Sequence, residues 1–160
     1  MKKEVLEINM ERFDSYIEKL DVKASFILAI ASAILAAILI EYKSISNDNC
    51  FLKVLLVISI IFIVISTIFS ILVIIPRKSI SNFKSCLYYK SVAEMSKDEY
   101  KVFLNTINNQ ESFEKELINE TKELANICNQ KMIKCEKSSF FLVLGLGIIL
   151  LIELINIIKF

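Results

Sequence analysis

Residues 54–75 read VLLVISIIFIVISTIFSILVII, with no charged side chain among them. A helix rises about 1.5 Å per residue, so a run of roughly 20 apolar residues crosses a hydrocarbon core of about 30 Å. Two more runs have this character. Ala24–Ile40 carries no charge, and Val22 and Tyr42 extend it through the interface. Phe140–Ile158 carries one, Glu153. The expected fold is all-α: an integral membrane protein with three transmembrane helices continuous with a cytoplasmic helical bundle. The expected segments are a cytoplasmic helix over 1–23, spans over 24–41, 54–76 and 139–158, an external loop over 42–53, and a cytoplasmic helical region over 77–138.

Composition narrows the chemistry. The chain has 160 residues, 55% of them hydrophobic, and a net charge of +1. That balance suggests no nucleic-acid partner. Histidine is absent, which removes the commonest general base and metal ligand. There is no glycine-rich phosphate loop and no nucleophile–base pair, so an enzyme is not expected. No cofactor or metal is implied. The cysteines are Cys50, Cys86, Cys128 and Cys135. None forms a C-x-x-C pair. They read as buried small hydrophobes in a reduced compartment, with a redox switch at Cys128 and Cys135 as the alternative. The first 23 residues are charged with both signs, unlike a cleavable signal peptide.

Basic residues orient the spans. Residues 1–23 hold five, 41–53 hold two, 77–138 hold eleven, and the tail holds Lys159. The clusters Lys19/Lys23, Arg77/Lys78 and Lys131/Lys134/Lys137 all abut the same side of the membrane, so the N-terminus is expected in the cytoplasm.

The polar segments carry helical periodicity. Leu6, Met10, Phe13, Ile17 and Leu20 recur at spacings of 4 and 3, a coiled-coil-like seam. No breaker separates them from the first span, so one helix is expected over about 3–41. Ile118, Thr121, Ala125, Cys128, Met132 and Cys135 form a second stripe, widened by Leu117 and Leu124, on a helix expected over about 111–158. Pro76 should end the second span. A modestly amphipathic helix is expected within 79–95. Ser96 and Glu99 read as a capping box, with Tyr100, Phe103, Leu104 and Ile107 as the apolar face behind it. Asn108-Asn109 reads as a turn.

Within the spans, Ser25, Ala29, Ser32 and Ala36 share a face, beside Ala33 and Ala37, as in close helix packing. Ser59, Ser66 and Ser70 share another. Their hydroxyls can bond back to the helix, bond to a neighbour, or line a water path. Glu153 either snorkels to the outer interface or lines a pore. Gly145 and Gly147 offer a thin contact face or a flexible point.

Arg12-Phe13-Asp14-Ser15-Tyr16-Ile17 is followed by Asp21-Val22-Lys23-Ala24-Ser25, and Ile75-Pro76-Arg77 closes the second span. In order and placement these resemble the Pycsar effector transmembrane family, whose pattern is R-x-D-x-[YW]-I, D-x-K-A, then P-R after the second apolar helix. Leu20 stands where that family usually has alanine. The SLATT membrane effectors have a similar layout. The resemblance implies a bacterial antiphage effector of the inner membrane, working by abortive infection. It implies activation by cyclic UMP or cyclic CMP made by a partner cyclase. Three spans are too few for a pore, so a homo-oligomer in the lipid bilayer is expected. Arg12, Asp14, Tyr16, Asp21, Lys23, Arg77, Tyr88 and Tyr89 are the candidate nucleotide site: arginine clamps phosphate and tyrosine stacks on a base. Ser25, Ser32, Ser59, Ser66, Ser70 and Glu153 are the candidate pore or packing residues. The same charges also suit orientation and headgroup pairing. The alternative function is a non-gated membrane scaffold binding a cytoplasmic partner.

Overall fold

The computed structural model describes residues 2–45, 50–75, 89–106 and 110–158, and every element among them is helical. The order is α1 (Lys2–Ile45), α2 (Cys50–Ile74), α3 (Tyr89–Glu94), α4 (Lys97–Thr106) and α5 (Gln110–Ile158). Three of them, α1, α2 and α5, are long and apolar enough to cross a membrane. Continuity follows from the scarcity of breakers: the chain has two glycines and one proline, so nothing interrupts α1 or α5 where polar sequence gives way to apolar. The expected Pro76-Arg77 stop, the Asn108-Asn109 turn, Ile107 and Cys86 lie outside the described residues. Helix α1 runs to Ile45 and α2 begins at Cys50, so helix extends into both ends of the expected 42–53 loop.

The contacts divide the chain into two compact units. The first is Met1–Glu18 with Arg77–Gln130; the second is Lys19–Pro76 with Lys131–Phe160. In the first, the Lys3 ammonium lies 5.2 Å from the centre of the Phe113 ring, so the start of α1 is beside the start of α5 and the two run parallel. Leu6, Met10, Phe13 and Ile17 are half-buried, as the seam predicts, while Leu117 is buried on α5. Helix α4 opens on the expected capping box. The Ser96 amide donates to Glu99 Oε2 at 2.8 Å and the Glu99 amide donates to Ser96 Oγ at 3.2 Å. Tyr100 and Phe103 are half-buried, whereas Leu104 is exposed.

The second unit is a three-helix bundle with a heptad seam on each helix. The buried residues of α2 are Leu52, Leu56, Ser59, Ile63, Ser66, Ser70 and Val73, spaced 4-3-4-3-4-3. On α5 the seam is Lys131, Cys135, Ser138, Leu142, Gly145, Ile149 and Ile152; on α1 it is Leu20, Ala24, Ile27, Ala31, Ile34 and Ile38. A 3.5-residue period is what two helices need to keep one face together over many turns. Along the expected α5 stripe Leu117 and Cys135 are buried and Thr121, Leu124, Ala125 and Cys128 half-buried, but Ile118 and Met132 are each 50% exposed, and Lys131 takes the inward place beside Met132.

Small and polar residues set the approach of α5 to α2. Ser66 Oγ donates to the Ser138 carbonyl at 2.8 Å, and Ser138 Oγ returns a bond to the Ser66 carbonyl at 2.8 Å. Ser70 Oγ lies 2.7 Å from Ser138 Oγ; with the Ser138 proton committed to Ser66, Ser70 is the donor. Phe141 stacks on Phe62 and Phe69, with centroids 6.0 and 5.9 Å apart. Replacing Ser138 with alanine removes the acceptor for Ser70 and the donor to Ser66. Interhelical hydrogen bonds inside membranes average about 0.6 kcal/mol each. Ser138→Ala is therefore expected to destabilise the bundle by about 1 kcal/mol, read as a small drop in melting temperature in detergent. Ser139→Ala, which loses only a bond to the Cys135 carbonyl of its own helix, should shift it less.

Candidate functional site

The charged residues at the start of the first span divide between two roles. Asp21 Oδ1 accepts a bond from Lys131 Nζ at 2.5 Å. The Lys131 side chain is 5% exposed and that of Asp21 is 36% exposed. Lys131 occupies a seam position on α5 where its side chain is almost wholly removed from solvent, so its charge needs the carboxylate. Three residues on, Ala24 has no exposed surface and packs with Val73 of α2 and Cys135 of α5. Asp21 and Ala24 thus face inward, where they dock α5. Lys23 is exposed and has no ion pair among the described residues.

Helix geometry separates the other candidates. At about 100° per residue, Arg12, Tyr16 and Lys23 return to one side of α1, whereas Asp14 and Asp21, seven apart, lie on another. Arg12, Asp14 and Tyr16 are all exposed. Arg12 has no ion-pair partner among the described residues, and a guanidinium in that state suits a phosphate. Arg77 and Tyr88 lie outside the described residues. Tyr89 begins α3.

A carboxylate cluster lies in the first unit. Burial, and then Glu123, Glu116 and Asp14, push the Glu120 carboxyl up from its ordinary value. A raised folded-state value means that ionised Glu120 weakens the fold at higher pH. The loss is relieved as pH falls through that value. Glu120→Gln is therefore expected to raise the melting temperature at slightly alkaline pH, with the gain shrinking in mild acid. A thermal series across pH checks this; an equal gain at every pH would contradict it.

The span residues sort by burial. Ser59, Ser66 and Ser70 have no exposed surface. Ser59 bonds back to the Leu56 carbonyl at 2.8 Å, while Ser66 and Ser70 bond across to α5. Within the chain they are packing residues, and the water-path reading finds no support among these contacts. Ser25 and Ser32 are exposed, each bonding back to its own helix at 2.8 Å. Ala29, Ala33, Ala36 and Ala37 are exposed as well. The small-residue face is therefore not the face that packs within the chain, where Ala24, Ala31 and Ile38 do so instead. Glu153 lies on the outer surface, next to buried Ile152. Any pore it lined would need other subunits.

Cys135 is buried and Cys128 half-buried; burial pushes both thiols up. They are seven residues apart on one helix, about 10 Å along its axis, too far for a disulfide between them. Both facts favour the packing role over the redox one. The described residues contain no cluster of His, Cys, Asp and Glu able to hold a metal ion.

Two residues of importance here have no obvious sequence signal. Lys131 reads as one of three surface lysines and turns out to be the buried partner of Asp21. Ser138 stands one residue before the expected 139–158 span and is the hub of the α2–α5 hydroxyls. Both places are set by partners distant in sequence, Asp21 for Lys131 and Ser66 and Ser70 for Ser138.

Among known families, the model of the Pycsar effector protein domain matches residues 5–157. No curated protein and no solved structure matches the chain significantly.

Proposed function

From the premise that the chain belongs to the Pycsar effector family, which makes it a multi-pass membrane effector of antiphage defence, we propose that it is opened by a cyclic mononucleotide, cyclic UMP or cyclic CMP, made by a partner cyclase. The nucleotide binds the polar helices on the cytoplasmic side of the bacterial inner membrane. Arg12 clamps its phosphate and Tyr16 stacks on its base. Arg77, Tyr88 and Tyr89 are assigned to the same site. Asp14 sits on the other side of α1 and disfavours a second anion there. Asp21 holds α5 through Lys131, and Lys23 belongs to the membrane boundary.

The observation that carries this reading is continuity. Helices α1 and α5 each run unbroken from polar sequence into an apolar span. A continuous helix is a path by which a displacement of its polar end reaches the span. Binding must favour the displaced arrangement over the resting one for this to work. Three spans enclose no channel, so the impaired membrane reflects several chains acting together.

The test pairs binding with permeability. Purified full-length protein is titrated with a panel of cyclic nucleotides, and dye uptake is followed in cells given the cyclase. The expected result is selective binding of a cyclic pyrimidine nucleotide and dye entry that depends on it. Arg12→Ala should weaken binding at least tenfold, the order expected for a charge-assisted contact worth about 1.5–3 kcal/mol. No binding and unchanged permeability would overturn the proposal. A non-gated scaffold would instead show a stable partner and no permeability change.

A further inference from the structure

The polar boundary of the second unit carries an unbalanced set of cations. The Ala24–Val73–Cys135 cluster and the Ser66–Ser70–Ser138 bonds bring three segments to one level: 19–24 of α1, 66–75 of α2 and 131–139 of α5. These segments hold five lysines, Lys19, Lys23, Lys131, Lys134 and Lys137, against two acids, Asp21 and Glu136. Asp21 is taken by Lys131. Lys23 and Lys137 are exposed on α1 and α5. Lys137 lies 5.9 Å from the centre of the Phe69 ring on α2, and Phe69 is stacked on Phe141. An ammonium seated on an aromatic ring is fixed at the depth of that ring, with its stem along apolar surface. Phe26 and Phe140, 65% and 60% exposed, stand on the apolar side of Lys23 and Lys137, three residues further along each helix. Each lysine thus has lipid-facing surface on one side and water on the other.

We propose that Lys23 and Lys137 bind the headgroup phosphates of anionic phospholipids at this boundary. The occupant is a lipid and not a free anion, because each cation is bordered by an exposed aromatic ring that only an acyl chain would cover. Glu136, next to Lys137 in sequence, is the acid that limits the site, so its removal should strengthen binding. This inference is independent of the nucleotide reading, since it requires no second messenger.

The experiment measures the melting temperature of the full chain in a neutral detergent as lipid is added, with bound lipid counted by native mass spectrometry. Phosphatidylglycerol is expected to raise the melting temperature and to be retained, and phosphatidylcholine is not. An anionic surface is worth about fivefold in affinity per lysine, so Lys23→Gln with Lys137→Gln should lower phosphatidylglycerol affinity by more than tenfold. The paired arginine variants should keep it, and Glu136→Gln should raise it. Equal response to the two lipids, an unchanged response in the glutamine pair, or the same stabilisation by glycerol phosphate would each overturn the proposal.

Discussion

Gly145→Leu is expected to separate α5 from α2 and to be the most damaging single substitution in the spans. A Cβ built at Gly145 falls 2.7 Å from Ile63 Cγ1 and 3.3 Å from the Ser59 carbonyl oxygen. Neither neighbour can retreat easily. Ile63 has no exposed surface, and its Cγ1 is one bond from the branch point, so it cannot swing aside as a chain tip would. The Ser59 oxygen belongs to the backbone of α2. Relief must come from moving a whole helix. Two turns before Gly145, Ser138 bonds to Ser66 and Ser70 at 2.7–2.8 Å, and such bonds weaken steeply when stretched. Overpacking a tight core costs about 1–3 kcal/mol for small additions. Alanine, which regains nearly 1 kcal/mol of helix propensity over glycine, should be mildly harmful, and leucine should lose well over 3 kcal/mol. Gly147, where an added Cβ meets nothing within 4 Å, supplies the control. Gly147→Leu should melt like the parent in detergent while Gly145→Leu falls far below it. Equal melting of the two leucine variants would mean that α2 and α5 do not meet as described.

How much of this was readable beforehand depends on the kind of residue. The three apolar runs are legible because a span admits almost no charge along its length (one residue, Glu153, in the three together), so the signal accumulates over about 20 residues. The seam through Leu6, Met10, Phe13, Ile17 and Leu20 was legible for the same additive reason. The α5 stripe is legible through Leu117, Thr121, Leu124, Ala125, Cys128 and Cys135 but fails at Ile118 and Met132, because periodicity sends apolar residues inward and charged ones outward. Ile118 and Met132 obeyed the first assumption on paper, yet they face out. Lys131 violates the second because Asp21, 110 residues earlier, supplies the countercharge. Pairing of that kind is invisible in local periodicity. The small residues of the first span misled in a related way. Ala24 and Ala31 pack inside, whereas Ser25, Ala29, Ser32 and Ala36 form an equally plausible stripe on the opposite side. Side-chain size alone does not say which face meets a neighbour. The proposed nucleotide site is the least legible part. Its candidate residues are spread over two sides of α1 and a segment beyond the second span, and no local spacing unites them.

Removing the Asp21 carboxylate is expected to be far more harmful than removing the Lys131 ammonium, and the asymmetry follows from burial. In Asp21→Ala the Lys131 charge stays at a seam position with its side chain 5% exposed and no partner. Stranding a buried charge in this way costs about 3–5 kcal/mol. In Lys131→Met the stranded group is Asp21, which retains 36% exposure and can be solvated. Methionine fills the vacated seam with a flexible apolar chain. That variant should melt near the parent or above it, as buried ion pairs replaced by apolar residues often do. The double variant Asp21→Ala with Lys131→Met should also stay close to the parent, giving a coupling of several kcal/mol in a double-mutant cycle. Thermal melts of the four proteins in one detergent provide the measurement. The double variant then separates two roles for Asp21. If the carboxylate only docks α5, the folded double variant binds cyclic nucleotide like the parent. If it also touches the ligand, stability is retained while binding is lost. The inward aim of Asp21 and the exposure of Arg12 and Tyr16 on another side of α1 predict the first outcome.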